Sequence, residues 1–137
     1  MADASGQGSS PSPNRQPASM AWLFFSPSGR IGRKTYTLAV LFWVCVTAMA
    51  VQGTTAAPEA SASETLFALA GLTILLAGSV SLIMLAIKRF HDLGYPAMLA
   101  ILLFVPILSL IVLLFLVVFP SQPQPNPYGD ITDAPKS

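Results

Sequence analysis

Three stretches of the chain are apolar on every side, at about Thr35–Val51, Leu66–Ile87 and Ala97–Phe119. A helix needs about 20 apolar residues, at ~1.5 Å of rise each, to cross the hydrocarbon of a bilayer, and each stretch is of that order. The third is the most apolar. Leu99, Ile101 through Phe104, Ile107 and Leu108 lead into a run that continues to Val118. It has no amphipathic period and so no polar face for water. The first is the least apolar, because Tyr36, Trp43 and Cys45 interrupt it and Gly53 and Pro58 close it. A long polar segment precedes it and no small-residue cleavage pattern follows, so it reads as a retained anchor and not as a signal peptide. The pattern predicts an all-α integral membrane protein with three transmembrane helices, the second and third forming a tight hairpin.

The flanks differ sharply from this. Met1–Ser19 is rich in Ser, Pro, Gln and Gly and has no hydrophobic cluster, so it cannot bury enough surface to fold. Residues 1–21 are expected to be a disordered polar tail, residues 22–129 the three-span membrane domain, and residues 120–137 a proline-rich extended tail. Trp22, Leu23, Phe24 and Phe25 suit the headgroup zone, and Ser26–Gly29 is a turn signal. Within the second stretch, Ala70, Gly71, Ala77, Gly78 and Ser81 cluster on one side. Small residues let helices approach closely in lipid, which makes this helix the expected packing hub, against its neighbours or another copy. Pro106 is expected to kink the third helix, with Ser109 helping to bond the freed carbonyl. Cys45 is expected to be a small packing residue.

Composition supports the membrane reading: 53% of residues are hydrophobic and 9% charged, against about 25% charged in soluble domains. A net charge of +1 excludes the electrostatic footprint of a nucleic-acid binder. The placement of the charges predicts orientation. Arg15, Arg30, Arg33 and Lys34 precede the first stretch; Glu59 and Glu64 follow it; Lys88 and Arg89 precede the third; only Lys136 is basic beyond it. Basic loops stay on the cytoplasmic side, so the N-terminus is expected inside and the C-terminus outside.

The densest chemistry is Lys88–Arg89–Phe90–His91–Asp92–Leu93–Gly94–Tyr95–Pro96, between the second and third stretches. Gly94 suits the left-handed position past a helix, and Pro96 the start of the next. Asp92 is unfavourable at a helix C-terminus and wants a cation; Lys88 at i−4 and Arg89 at i−3 are in reach, and Arg89 has the better fork. Arg30, Arg33 and Lys34 would share a face if helical. Two readings stand here, a charge cluster that caps the hairpin and a docking site for lipid headgroups or a partner. One histidine and one cysteine do not make a zinc site, and Asp130 and Asp133 fall across the membrane on the three-span topology. No catalytic, metal or cofactor-binding residue is therefore assigned.

Several of these pieces together resemble a known family, the small bacterial inner-membrane proteins of domain of unknown function 805 (YhaH/YhaI-like). The matching residues are Phe25, then Gly29–Arg30–Ile31–Gly32–Arg33 and Tyr36, then Lys88 through Gly94 with Arg89, His91, Asp92 and Gly94 at its centre, then Pro106, and finally Asn126 with Tyr128–Gly129. Met98–Leu99 stands where the family often has paired tryptophans, Ser109 near where a glycine commonly follows the proline, and the tail before Asn126 is proline-rich and not glycine-rich. The resemblance implies a multi-pass bacterial inner-membrane protein and brings no reaction, substrate or cofactor. The expected function is non-enzymatic association with membrane lipids, with itself or with a partner protein through the charged cytoplasmic motifs. The alternative is a small oligomeric channel or transporter subunit, and a third is a membrane enzyme using His91 and Asp92.

Overall fold

The computed structural model describes residues 18–57 and 61–136. The described chain is helical: α1 (Met20–Phe25), α2 (Arg33–Ala56), α3 (Ala62–Asp92) and α4 (Pro106–Val118), with a 3₁₀ segment (Ala97–Phe104) between α3 and α4. The expected disorder of residues 1–17 lies outside the described residues, as do Arg15, Pro58 and Glu59. Met20 and Ala21, expected in that tail, are instead the first turn of α1, which Ser19 caps by accepting from the Trp22 amide at 3.1 Å.

Helices α2 and α3 form the scaffold. At ~1.5 Å per residue they are about 36 Å and 46 Å long, and both are apolar enough to cross a membrane. Only 11% of the apolar window of each is buried, so neither is the core helix of a soluble domain. Ser61 caps α3 by accepting from the Glu64 amide. The small-residue side of α3 packs on α2. Gly78 lies against the Trp43 ring, Ser81 accepts from Trp43 Nε1 at 2.9 Å, and Gly71 faces Ala50. The expected hub is thus occupied within the chain. Cys45 faces outward and is not a packing residue.

The third apolar stretch departs from its expected course. It is two pieces, the 3₁₀ segment of about 16 Å and α4 of about 20 Å, each too short for ~30 Å of hydrocarbon. Pro106 does not kink a continuous helix; it is the first residue of α4. The ring drives the preceding Val105 out of helical conformation, to φ −98° and ψ 113°, and the chain reverses there. Ser109 Oγ bonds the Pro106 carbonyl at 2.7 Å, not a carbonyl freed one turn earlier. The reversal brings the end of α4 back to where the 3₁₀ segment began. Phe115 lies 6.3 Å from Tyr95, and the Gln122 amide donates to the Asp92 carbonyl at 3.3 Å. The fold therefore has two long helices and a shorter helical hairpin that turns back on itself, and the described N- and C-terminal segments both lie at the Asp92 end of the α2–α3 pair.

The proline-rich tail is not a loose extension. It packs across this end through an isolated bridge between Arg30 and Ala134 and a turn closed by Asn126 and Gly129. The buried core gathers here too, with Phe24, Ile31, Tyr36, Leu85, Phe90 and Leu116 among its members. Phe24 packs on Phe42 and Trp43 with ring centroids 5.4 and 5.9 Å apart. The molecule is inverted relative to a soluble protein: large apolar side chains line the outside, and charged ones are buried at one end.

Candidate functional site

Asp92 is the centre of the buried charge. It ends α3, where the helix dipole disfavours a carboxylate, and it is fully buried. Two guanidiniums and a hydroxyl offset this. Arg30 Nε is 3.2 Å from Oδ1, Arg89 Nη1 donates to Oδ2, and Thr132 Oγ1 donates to Oδ1 at 2.7 Å. The i, i+3 pairing of Arg89 with Asp92 is as the spacing predicts. Lys88 turns elsewhere. Its ammonium donates to the carbonyls of Trp22 and Leu23 and sits 4.4 Å from the Trp22 ring centre, which fastens α1 to α3.

The rest of each guanidinium holds backbone. Arg89 Nε donates to the Leu116 carbonyl at 2.9 Å and Nη2 to that of Phe119. These carbonyls end α4, where helix acceptors are left open and a cation is favoured. Nη1 also reaches Ser121 Oγ at 3.1 Å. Arg89 thus joins α3 to the end of the helical hairpin. Arg30 precedes α2 and does not share a helical face with Arg33 and Lys34, because α2 begins at Arg33. Its Nη1 donates to the carbonyls of Gln124 and Gly129, and Nη2 to that of Gln122 at 2.6 Å. A tail with so many prolines has few amides to pair its carbonyls, and Arg30 supplies the missing donors.

The family-motif glycines are explained by the same junction. Gly29 has φ +93°, and a Cβ there would stand 2.5 Å from the Ala134 carbonyl oxygen. Gly32 caps α2 without a side chain of its own; Asp133 Oδ1 accepts from its amide at 2.8 Å and places a negative charge at the positive end of that helix. Gly94 has φ +79° past the end of α3, as expected. Gly129 presents its carbonyl to Arg30. Asn126 Nδ2 donates to the His91 carbonyl at 2.8 Å, and Tyr128 stacks flat on the His91 ring at 4.0 Å. Asp130 and Asp133, expected across the membrane, lie on the tail that covers this same end.

Of the sequence-assigned residues, Gly29, Arg30, Gly32, Arg89, His91, Asp92, Gly94, Asn126, Tyr128 and Gly129 come together, whereas Arg33 is exposed on α2. Trp22, Ser121, Thr132, Asp133 and the carbonyls of Leu116 and Phe119 complete the junction and were not assigned from sequence. Most of them contribute backbone or a single hydroxyl, which leaves no periodicity or spacing to read. His91 and Asp92 adjoin in sequence, but the carboxylate bonds to Arg30, Arg89 and Thr132 while the imidazole faces Tyr128. Among the described residues, no three of His, Cys, Asp and Glu are grouped to hold a metal ion.

Residues 24–130 match a family model described as a protein of unknown function (DUF805). Comparison with curated proteins gave no match, and comparison with solved structures gave none.

Proposed function

The chain belongs to the DUF805 family of proteins of unknown function, and from that premise we propose a non-enzymatic integral protein of the bacterial inner membrane. It acts by association with membrane lipid, with itself or with a partner protein at its polar end. One observation carries this reading. The donors of Arg30 and Arg89 are spent on Asp92 and on backbone carbonyls, so these arginines build a rigid platform and are not free for a ligand. The exposed cations Arg33, Lys34 and Lys136 are what the platform presents. The separate engagements of His91 and Asp92 favour this reading over the enzymatic one. The small-residue side of α3, which suggested a channel, is occupied by α2.

In this reading α2 and α3 cross the bilayer, and the 3₁₀ segment and α4 enter and leave on one side. Arg30, Arg33, Lys34, Lys88, Arg89 and Lys136 then share that side, and Glu64 lies at the other end of α3. The basic end faces the cytoplasm by the positive-inside rule, with the described N- and C-terminal segments both there. This replaces the three-span topology with its external C-terminus. Single cysteines test it in a Cys45→Ala background. A membrane-impermeant thiol reagent added to intact cells is expected to label Ser63→Cys and to spare Lys136→Cys until the membrane is opened. Labelling of Lys136→Cys from outside would overturn the two-crossing arrangement. Arg33→Gln with Lys34→Gln is expected to reduce the anionic lipid co-purifying around the protein. An unchanged lipid shell, together with unchanged self-association and crosslinked neighbours, would remove the association reading.

A further inference from the structure

Beside the platform lies a cleft of about 310 Å³, at which α3, the loop before α2, the start of the 3₁₀ segment and the tail converge. We propose that it binds the phosphate-bearing head group of one anionic phospholipid molecule, a proposal that rests on the membrane placement argued above and names the lipid class that placement admits. The charge of the cleft selects an anion. Lys136 is the one formally charged residue among those lining it, and neither ion pair among the described residues involves Lys136. The His91 ring, held flat against Tyr128, forms the wall.

The position of the cleft selects an amphiphile over a soluble anion. Ile87 lies one helical turn from His91, toward the apolar body of α3, and Ala97 opens the re-entrant hairpin. The cleft therefore runs from the charged end onto the lipid-facing flank, at the level where phosphate and glycerol meet hydrocarbon. Its volume is at the lower end of the ~300–1,000 Å³ of ligand pockets. That accommodates a head group while the acyl chains remain in the bilayer. Basic pockets at the cytoplasmic ends of membrane helices are known to take such head groups.

The test uses the full chain purified in mild detergent, loaded with phosphatidylglycerol or phosphatidylcholine, with bound lipid counted by native mass spectrometry. The wild type is expected to retain one phosphatidylglycerol and little phosphatidylcholine. Lys136→Gln, at an exposed side chain, is expected to weaken phosphatidylglycerol retention about fivefold. Ala97→Trp, which fills the cleft, is expected to abolish it with helicity unchanged. Should Ala97→Trp not fold, Lys136→Gln decides alone. Equal retention by wild type and Lys136→Gln would overturn the proposal, and so would displacement of the lipid by an equal concentration of glycerol phosphate, which would make the ligand a soluble phosphate. Retention is read without reference to sidedness. Its failure therefore leaves the thiol-labelling result standing, and failure of the labelling leaves the lipid count standing.

Discussion

Arg89 joins the end of α3, the end of α4 and the start of the tail with one side chain. A planar fork with several fixed donors can do this; a lysine, with a single point charge, cannot. Its energetic dependence is on Asp92, the only carboxylate paired with the two buried guanidiniums among the described residues. Breaking a buried ion pair by removing one partner costs about 3–5 kcal/mol. Asp92→Asn keeps the shape and removes the charge, so two cations remain buried without an anion. It is expected to lower stability by that order in a denaturing-detergent titration. Thr132→Val removes one hydroxyl from a carboxylate with two other partners and is expected to cost about 1 kcal/mol in the same assay. Equal losses from the two variants would mean that the charge pairing is not what holds the junction.

At the scale of elements, the α2–α3 pair is held by close approach and not by a wide apolar seam. A Cβ at Gly78 would stand 3.0 Å from the Trp43 ring, whose indole N–H is bound to Ser81. Gly78→Leu must push the ring aside, and overpacking of this kind costs about 1–3 kcal/mol. Near-ultraviolet circular dichroism is expected to show loss of the fixed Trp43 environment while helix content is retained. These two helices and their packing side were legible from hydropathy and small-residue spacing alone, because lipid imposes a long uncharged run and a close contact demands small side chains. The positive φ of Gly94 and the pairing of Arg89 with Asp92 were legible for equally local reasons. The direction taken by the third apolar stretch was not. A proline in the middle of such a stretch has the same signature whether it kinks a crossing helix or opens the return arm of a hairpin.

At the scale of the whole molecule, what decides that direction is a contact far away in sequence. Arg89 binds the carbonyl of Leu116, 27 residues on, and carbonyls carry no sequence signal. Without Pro106 and without the anchored junction, residues 97–118 are long enough to cross as one helix. Pro106→Ala combined with Asp92→Asn is accordingly expected to shift a fraction of chains to a C-terminus outside. A reporter active only outside the membrane, fused after Ser137, is expected to be silent in the wild type and active in the double variant; silence in both, with both fusions well expressed, would mean that the reversal does not depend on these two residues. In the proposed two-crossing placement the hairpin gives the molecule unequal cross-sections: one leaflet would accommodate two helices, and the other those two plus the paired arms of the hairpin. A body of that shape is a wedge. Placed so, it would relieve packing stress where the leaflet containing the hairpin is convex and add to it where that leaflet is concave, so local membrane curvature is expected to bias where the protein resides.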